Sequence, residues 1–305
     1  MQNEDEIDAF PVRDGCRISC RIYRHAQPQS VLLLLPGFGL SSDDYISFCE
    51  RLVKTSPTVV YSPDLRGHGK SQGAPGDVAY IGQLQDDLND LLMAIKYRHP
   101  GIPLVLAAHS GSSSLAIAHL AAQQDSAVRA LYLIAPVFFG YMEFDRQVKP
   151  AYRYIYYGRY RCSPHENVAS QFNVNQQFRY SLKRHLIAAV LPFQRKICVL
   201  QVRRDEEQSW KKYSFRFLQS YRCPHLQSAL EKISVPVRVL VGAEDEVMLP
   251  DAVVSTLNWH LAPDILREMR CLRGMGHFSI LAVSALLVSQ WLRMTMAEID
   301  GERQQ

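Results

Sequence analysis

Ser110 stands between an apolar run, Leu104–Ala107, and an amphipathic stretch, in the segment Ala108-His109-Ser110-Gly111-Ser112. A serine lifted on a sharp strand-to-helix turn can act as a nucleophile, and so tight a turn demands small residues two places before and after it. Ala108 and Ser112 meet that demand. A serine hydroxyl is a weak nucleophile until a base takes its proton. His277, in the loop Gly274-Met275-Gly276-His277-Phe278, is the candidate base, because flanking glycines let the chain turn an imidazole inward. Asp245, chosen over Glu244 and Glu246, follows the run Val237–Val241 and is the candidate acid that orients this base. Acyl transfer also needs two donors aimed at the developing oxyanion, and the backbone N–H groups of Phe38 and Gly111 are the candidates. Each feature alone has a plainer reading: Ser110 as a helix N-cap, Gly37 and Gly39 as turn residues, Asp245 as a solvated loop carboxylate.

The elements that must position these groups are legible as alternating patterns. Val31–Leu35, Thr58–Tyr61, Leu104–Ala107, Ala130–Ile134 and Val235–Val241 are short, largely apolar runs that read as strands buried on both faces, and Ile265–Leu272 is strand-like. Asp43–Lys54, Tyr80–Tyr97 and Ser110–Gln123 carry apolar residues at helical spacing, such as Leu84, Leu88, Leu91, Leu92 and Ile95. This alternation predicts an α/β fold with a mostly parallel central sheet flanked by helices. Phe38, Ser110, Asp245 and His277 all follow such strands, where an open α/β sheet places its ligand crevice.

The rhythm breaks after Ala135-Pro136 and resumes at Val235. Residues 1–136 and 234–305 read as the core and 137–233 as an inserted helical lid rich in Tyr, Arg and Gln. The insertion holds 17 Lys and Arg against 7 Asp and Glu, although the whole chain carries only +4. The positive charge is therefore local, and it predicts peripheral contact of the lid with anionic membrane. A solvated helical face with Arg stems packed on Tyr rings is the plainer alternative. Phe138, Phe139, Tyr141, Tyr154 and Tyr157 serve equally as an apolar acyl-binding wall or as lid core.

Composition bounds the rest. A chain of 305 residues with 47% hydrophobic and 21% charged residues suits an enzyme with a large core rather than a disordered or fibrous protein. The first residues, MQNEDEIDAF, are acidic where a secretory signal would be basic, and no stretch reaches the roughly 20 apolar residues that span a bilayer. Seven scattered cysteines without C-x-x-C spacing read as free thiols in the cytoplasm, not as a disulfide framework or metal site. No cofactor, metal or nucleic-acid partner is expected.

The serine, acid and base occur in the order Ser, Asp, His, which is that of the α/β-hydrolase fold. From about Phe10 to Leu292 the chain resembles that superfamily, specifically its monoacylglycerol lipase and lysophospholipase-like branch. The most specific segment is Asp64-Leu65-Arg66-Gly67-His68-Gly69-Lys70-Ser71, similar to the branch's D-x-R-G-H-G-x-S turn, which makes Asp64 and His68 structural. The branch's H-G-x-G begins here with Pro36, and its G-H-S-x-G-G appears as Ala108-His109-Ser110-Gly111-Ser112-Ser113. The resemblance implies hydrolysis of carboxylic esters with a lipophilic acyl group, such as monoacylglycerols or lysophospholipids. A thioesterase, a peptidase or a non-catalytic binding protein on the same fold stays open.

Overall fold

The computed structural model describes residues 6–123, 127–138, 159–161, 176–204 and 209–303. Every residue of the strands Ser30–Leu35, Thr58–Pro63, Leu104–His109 and Val237–Gly242 is buried, side chains of both faces alike, so these strands form a sheet covered on both sides. Its eight strands are β1 (Glu6–Pro11), β2 (Arg17–Arg24), β3 (Ser30–Leu35), β4 (Thr58–Pro63), β5 (Leu104–His109), β6 (Val128–Ile134), β11 (Val237–Gly242) and β12 (Leu266–Leu272), in the spatial order β1-β2-β4-β3-β5-β6-β11-β12. From β4 to β12 every neighbouring pair is parallel, and β1 and β2 join antiparallel at one edge.

Strand β3 shows why the sheet needs two helical layers. Leu33 and Leu35 point into one apolar cluster, with helices α2 (Gln83–Arg98), α3 (Ser112–Ala122) and α7 (Pro250–His260). Leu32 and Leu34 point into the other, with α1 (Ile46–Thr55) and the terminal α8 (Leu281–Arg303). Period-two side-chain alternation therefore delivers leucines to both faces, and each fully buried leucine contributes about 1.5–3 kcal/mol.

The chain leaves β3 through α1 toward β4 and leaves β5 through α3 toward β6, in the opposite direction across the sheet, so the strand order reverses between β3 and β5. Such a switch point opens a crevice beyond the carboxyl ends of the strands. The loops after β3, β5, β11 and β12 all emerge on that side.

Between β6 and β11 in the chain, the described residues of the insertion include helices, as expected, and in addition a four-stranded antiparallel sheet. Its strands are β7 (Arg159–Arg161), β8 (Gln176–Tyr180), β9 (Cys198–Arg204) and β10 (Lys211–Ser214). The helices are α4 (Leu182–Val190), α5 (Phe215–Tyr221) and α6 (Leu226–Glu231). Strand β10 lies against the core: Ser214 N–H donates to the Gly76 carbonyl, and Arg216 pairs with Asp77 at 2.5 Å. Phe138 is buried; Phe139, Tyr141, Tyr154 and Tyr157 fall outside the described residues.

Candidate active site

Ser110 occupies the turn from β5 into α3 with φ of 55°, a left-handed conformation that a non-glycine residue adopts only when its surroundings enforce it. The enforcement is visible. Its N–H donates to the Ile134 carbonyl at 3.0 Å, and its own carbonyl accepts from Ser113 and Val137. The hydroxyl is thereby held up at the crevice, half-buried.

His277 Nε2 lies 2.7 Å from Ser110 Oγ, and His277 Nδ1 lies 2.9 Å from Asp245 Oδ2. The structure thus brings together the three residues named from the sequence. Asp245 is itself fixed, because its second oxygen accepts the N–H groups of Val247 and Met248, both at 2.8 Å. Those bonds aim the remaining oxygen at the imidazole, so the ring proton resides on Nδ1 and Nε2 is left to accept from the serine. Burial alone would lower the His277 pKa, but the Asp245 charge, its hydrogen bond and the nearby Glu246 outweigh it, and the net direction is upward.

The neighbours of Asp245 hold the loop that carries His277. Glu246 accepts the His277 N–H at 2.7 Å, and Glu244 accepts the Gly274 N–H at 3.0 Å. A Cβ on Gly276 would displace the Glu246 carboxylate that holds the His277 N–H. In the sequence these glutamates stand only as rivals of Asp245. Their service to another loop carries no local sequence signal.

The two candidate oxyanion donors lie on the segments that flank the switch point. Gly111 is the N-cap of α3, where first-turn N–H groups lack intrahelical acceptors. Phe38 belongs to the loop Pro36–Gly39 after β3, and a Cβ on Gly37 would lie 3.1 Å from Ser110 Cβ, so glycine permits the loop's close approach. The Ser112 hydroxyl donates to the Pro36 carbonyl at 2.5 Å and ties that loop to the elbow. The Phe38 ring packs on Tyr213, Tyr221 and Phe217 of the insertion, with centroids 4.6, 5.2 and 6.2 Å away. These rings are buried together, so the segment between β6 and β11 packs its aromatic side chains onto the loop that carries Phe38.

His68 and Asp64 serve the scaffold rather than the Ser110–His277–Asp245 line. Asp64 accepts the N–H groups of Ser42 and Lys70, both at 2.7 Å, while His68 is buried between the Arg66 carbonyl and the Tyr213 hydroxyl. Arg66 forms a two-pronged pair with buried Asp87 at 2.7 Å and a second with Asp14. His109, next to the serine, is buried and its pKa is lowered to about 3 by that burial and by His277, so the ring is neutral. Among the described residues no group of three or more His, Cys, Asp or Glu is placed to hold a metal ion, and no helix is long and apolar enough to cross a membrane.

Comparison with known proteins fits this geometry. Residues 26–277 match the profile of the serine aminopeptidase S33 family, which covers most of the chain. The chain belongs to that family of α/β hydrolases. A curated relative of this S33 hydrolase is a monoglyceride lipase homolog of monkeypox virus, 26% identical over 125 residues, or 41% of the chain. The match spans 45% of that relative's length. Among solved structures, a soluble variant of monoglyceride lipase from Saccharomyces cerevisiae, in complex with a substrate analog, superposes with a TM-score of 0.64 at 15% identity, covering 97% of this chain and 95% of that one. An α/β hydrolase from Penicillium sp. gives 0.64 at 18% identity over 96% and 99% of the two chains. Est1E from Butyrivibrio proteoclasticus, bound to ferulic acid, gives 0.63 at 14% over 94% and 99%. At these identities the structural likenesses establish a shared fold.

Proposed function

We propose that this S33 hydrolase is a serine esterase that cleaves lipophilic carboxylic esters such as monoacylglycerols or lysophospholipids. The observation that carries the proposal is the unbroken hydrogen-bonded line from Ser110 Oγ through both nitrogens of His277 to Asp245. In the reaction Ser110 Oγ attacks the ester carbonyl carbon as its proton passes to His277 Nε2. The N–H groups of Phe38 and Gly111 receive the oxyanion. Collapse of the tetrahedral intermediate breaks the bond to the alcohol, which takes the proton from His277 and leaves an acyl group on Ser110. A water that gives its proton to His277 then attacks this ester, and the acid departs as Ser110 regains its hydrogen. Asp245 stabilises the imidazolium at both stages without taking its proton.

Lipophilic esters are favoured by the limited likeness to a monoglyceride lipase homolog. Amide cleavage is a second reading, favoured by the family's description as serine aminopeptidases. Hydrolysis of monoacylglycerols, lysophospholipids, short p-nitrophenyl esters, thioesters and aminoacyl anilides by wild type and Ser110→Ala separates them. The proposal requires the lipid esters to be turned over fastest, with loss of activity in the variant. Faster cleavage of anilides or thioesters would replace it with the alternative.

Residues 137–233 are proposed as a lid that docks on anionic membrane. On α4, Leu186 and Val190 are 56% and 77% exposed at a spacing that shares one helix face, Phe193 just beyond is 70% exposed, and Lys183, Arg184 and Lys196 lie beside them. Apolar side chains inserted between cations suit a headgroup surface. Co-sedimentation with anionic vesicles should weaken as salt rises and be feeble with neutral ones. Equal, salt-independent binding to both would contradict the docking proposal.

A further inference from the structure

We propose that Tyr45 and His109 form a buried, uncharged hydrogen-bond relay that holds the oxyanion loop and the base-bearing loop in one register, making both positioning residues for the reaction at Ser110. The inference rests on the hydrolase reading above, and its spectroscopic test does not.

The contacts assign every proton. His109 Nε2 lies 3.2 Å from the His277 carbonyl, which can only accept, so Nε2 carries the hydrogen. A neutral ring then has a bare Nδ1, and the atom 2.7 Å from it is the Tyr45 hydroxyl, which must donate. The Tyr45 oxygen in turn accepts the Gly37 N–H at 2.8 Å. Gly37 precedes Phe38, whose N–H is a proposed oxyanion donor, and the other end of the line is the main chain of the proposed base. Tyr45 and His109 are both fully buried, so neither has water as a substitute partner.

The relay has one workable arrangement. Were His109 to carry its proton on Nδ1, a bare Nε2 would face a carbonyl oxygen. Were it protonated on both nitrogens, the Tyr45 oxygen would face two N–H donors, and a second imidazolium would stand beside His277, with ring centroids 5.3 Å apart. Burial excludes that charge, as do the low His109 pKa and the repulsion from His277. The neutral ring is also a spacer: a Cβ on Gly37 would lie 3.1 Å from His109 Nδ1, so the imidazole buttresses the glycine that lets the loop approach Ser110. In enzymes that stabilise an oxyanion with preset dipoles, small displacements of such loops lower turnover more than affinity.

The test has a kinetic arm and a spectroscopic arm. Tyr45→Phe should lower kcat by about 10-fold with KM within about 2-fold, because it leaves the folded crevice intact but frees the Gly37 amide. His109→Gln keeps a donor for the His277 carbonyl and should retain more activity than His109→Leu. Combining Tyr45→Phe with His109→Leu should be no worse than the poorer single variant, since the residues act as one unit. Effects that multiply, or single variants within about 2-fold of wild type, would overturn the relay. In the wild-type protein, 15N spectra of the histidine rings should show His109 neutral, with its proton on Nε2, throughout pH 5–8. A His109 signal that titrates in this range or carries its proton on Nδ1 overturns the relay whether or not the protein hydrolyses any ester. A wild type inert toward every ester, with the His109 signature intact, would instead count against the esterase reading.

Discussion

Ser112 Oγ donates to the carbonyl oxygen of Pro36 at 2.5 Å, so two positions at which this chain departs from its branch's usual motifs are bonded to each other. Glycine at 112 would give a roomier elbow and histidine at 36 a different loop. Here a hydroxyl on the elbow grips the loop that carries Phe38. Ser112→Gly, although it restores the common motif, should therefore lower kcat by about 3- to 10-fold with little change in KM, the equivalent of one buried hydrogen bond. Steady-state kinetics on the best ester checks this, and a faster variant would contradict it.

The pH profile should follow His277. Burial pushes its pKa down, and the Asp245 charge and hydrogen bond, with Glu246, push it up by more, so its folded value lies above the ordinary 6.5. The base works only when neutral, hence kcat/KM should rise with pH through an acid limb above 6.5. In Asp245→Asn the anion is gone and burial prevails, so the limb should move to lower pH while kcat falls by about 100-fold or more. The measurement is kcat/KM against pH for both proteins.

Arg66 should matter for stability rather than for the reaction. Its guanidinium is 6% exposed and meets Asp87, 8% exposed, through two bonds. Arg66→Met leaves that carboxylate buried without its cation, a loss of about 3–5 kcal/mol. Thermal unfolding should show a clear fall in Tm. Arg66→Met paired with Asp87→Leu should recover part of it, because removing both charges also removes the desolvation penalty.

Gly76 fixes where the insertion meets the core. It has φ of +66°, and any Cβ there would strike the Lys212 carbonyl of β10. Gly76→Val should displace β10 and make the insertion more susceptible to limited proteolysis than it is in wild type. Cleavage at unchanged rate would show that the contact does not hold the insertion.

The core was legible because its strands are continuous apolar runs between helices with a clear apolar stripe, as at Leu84, Leu88 and Leu91. Strands β1 and β2 are not legible because Glu6, Asp8, Arg17, Arg21 and Arg24 break their apolar pattern; β1 is the sheet's edge and β2 lies just inside it. The insertion's sheet escaped it as well, because short segments such as Lys211–Ser214 have neither the length nor the alternation to stand out. At the site, Ser110, Asp245 and His277 each carry a local mark, a small-residue turn, a strand end and a glycine loop. Tyr45, Glu244, Glu246 and Ser112 act across loops distant in sequence, and pairing of that kind becomes visible only when the chain is folded.

The central claim is that Ser110 is made nucleophilic by His277. Mass spectrometry of the protein after exposure to a fluorophosphonate tests it most directly. A single covalent adduct on the peptide containing Ser110, lost in Ser110→Ala and strongly slowed in His277→Ala, is the predicted result. A wild-type protein that takes up no probe, or a Ser110→Ala protein labelled as fast as wild type, would contradict it.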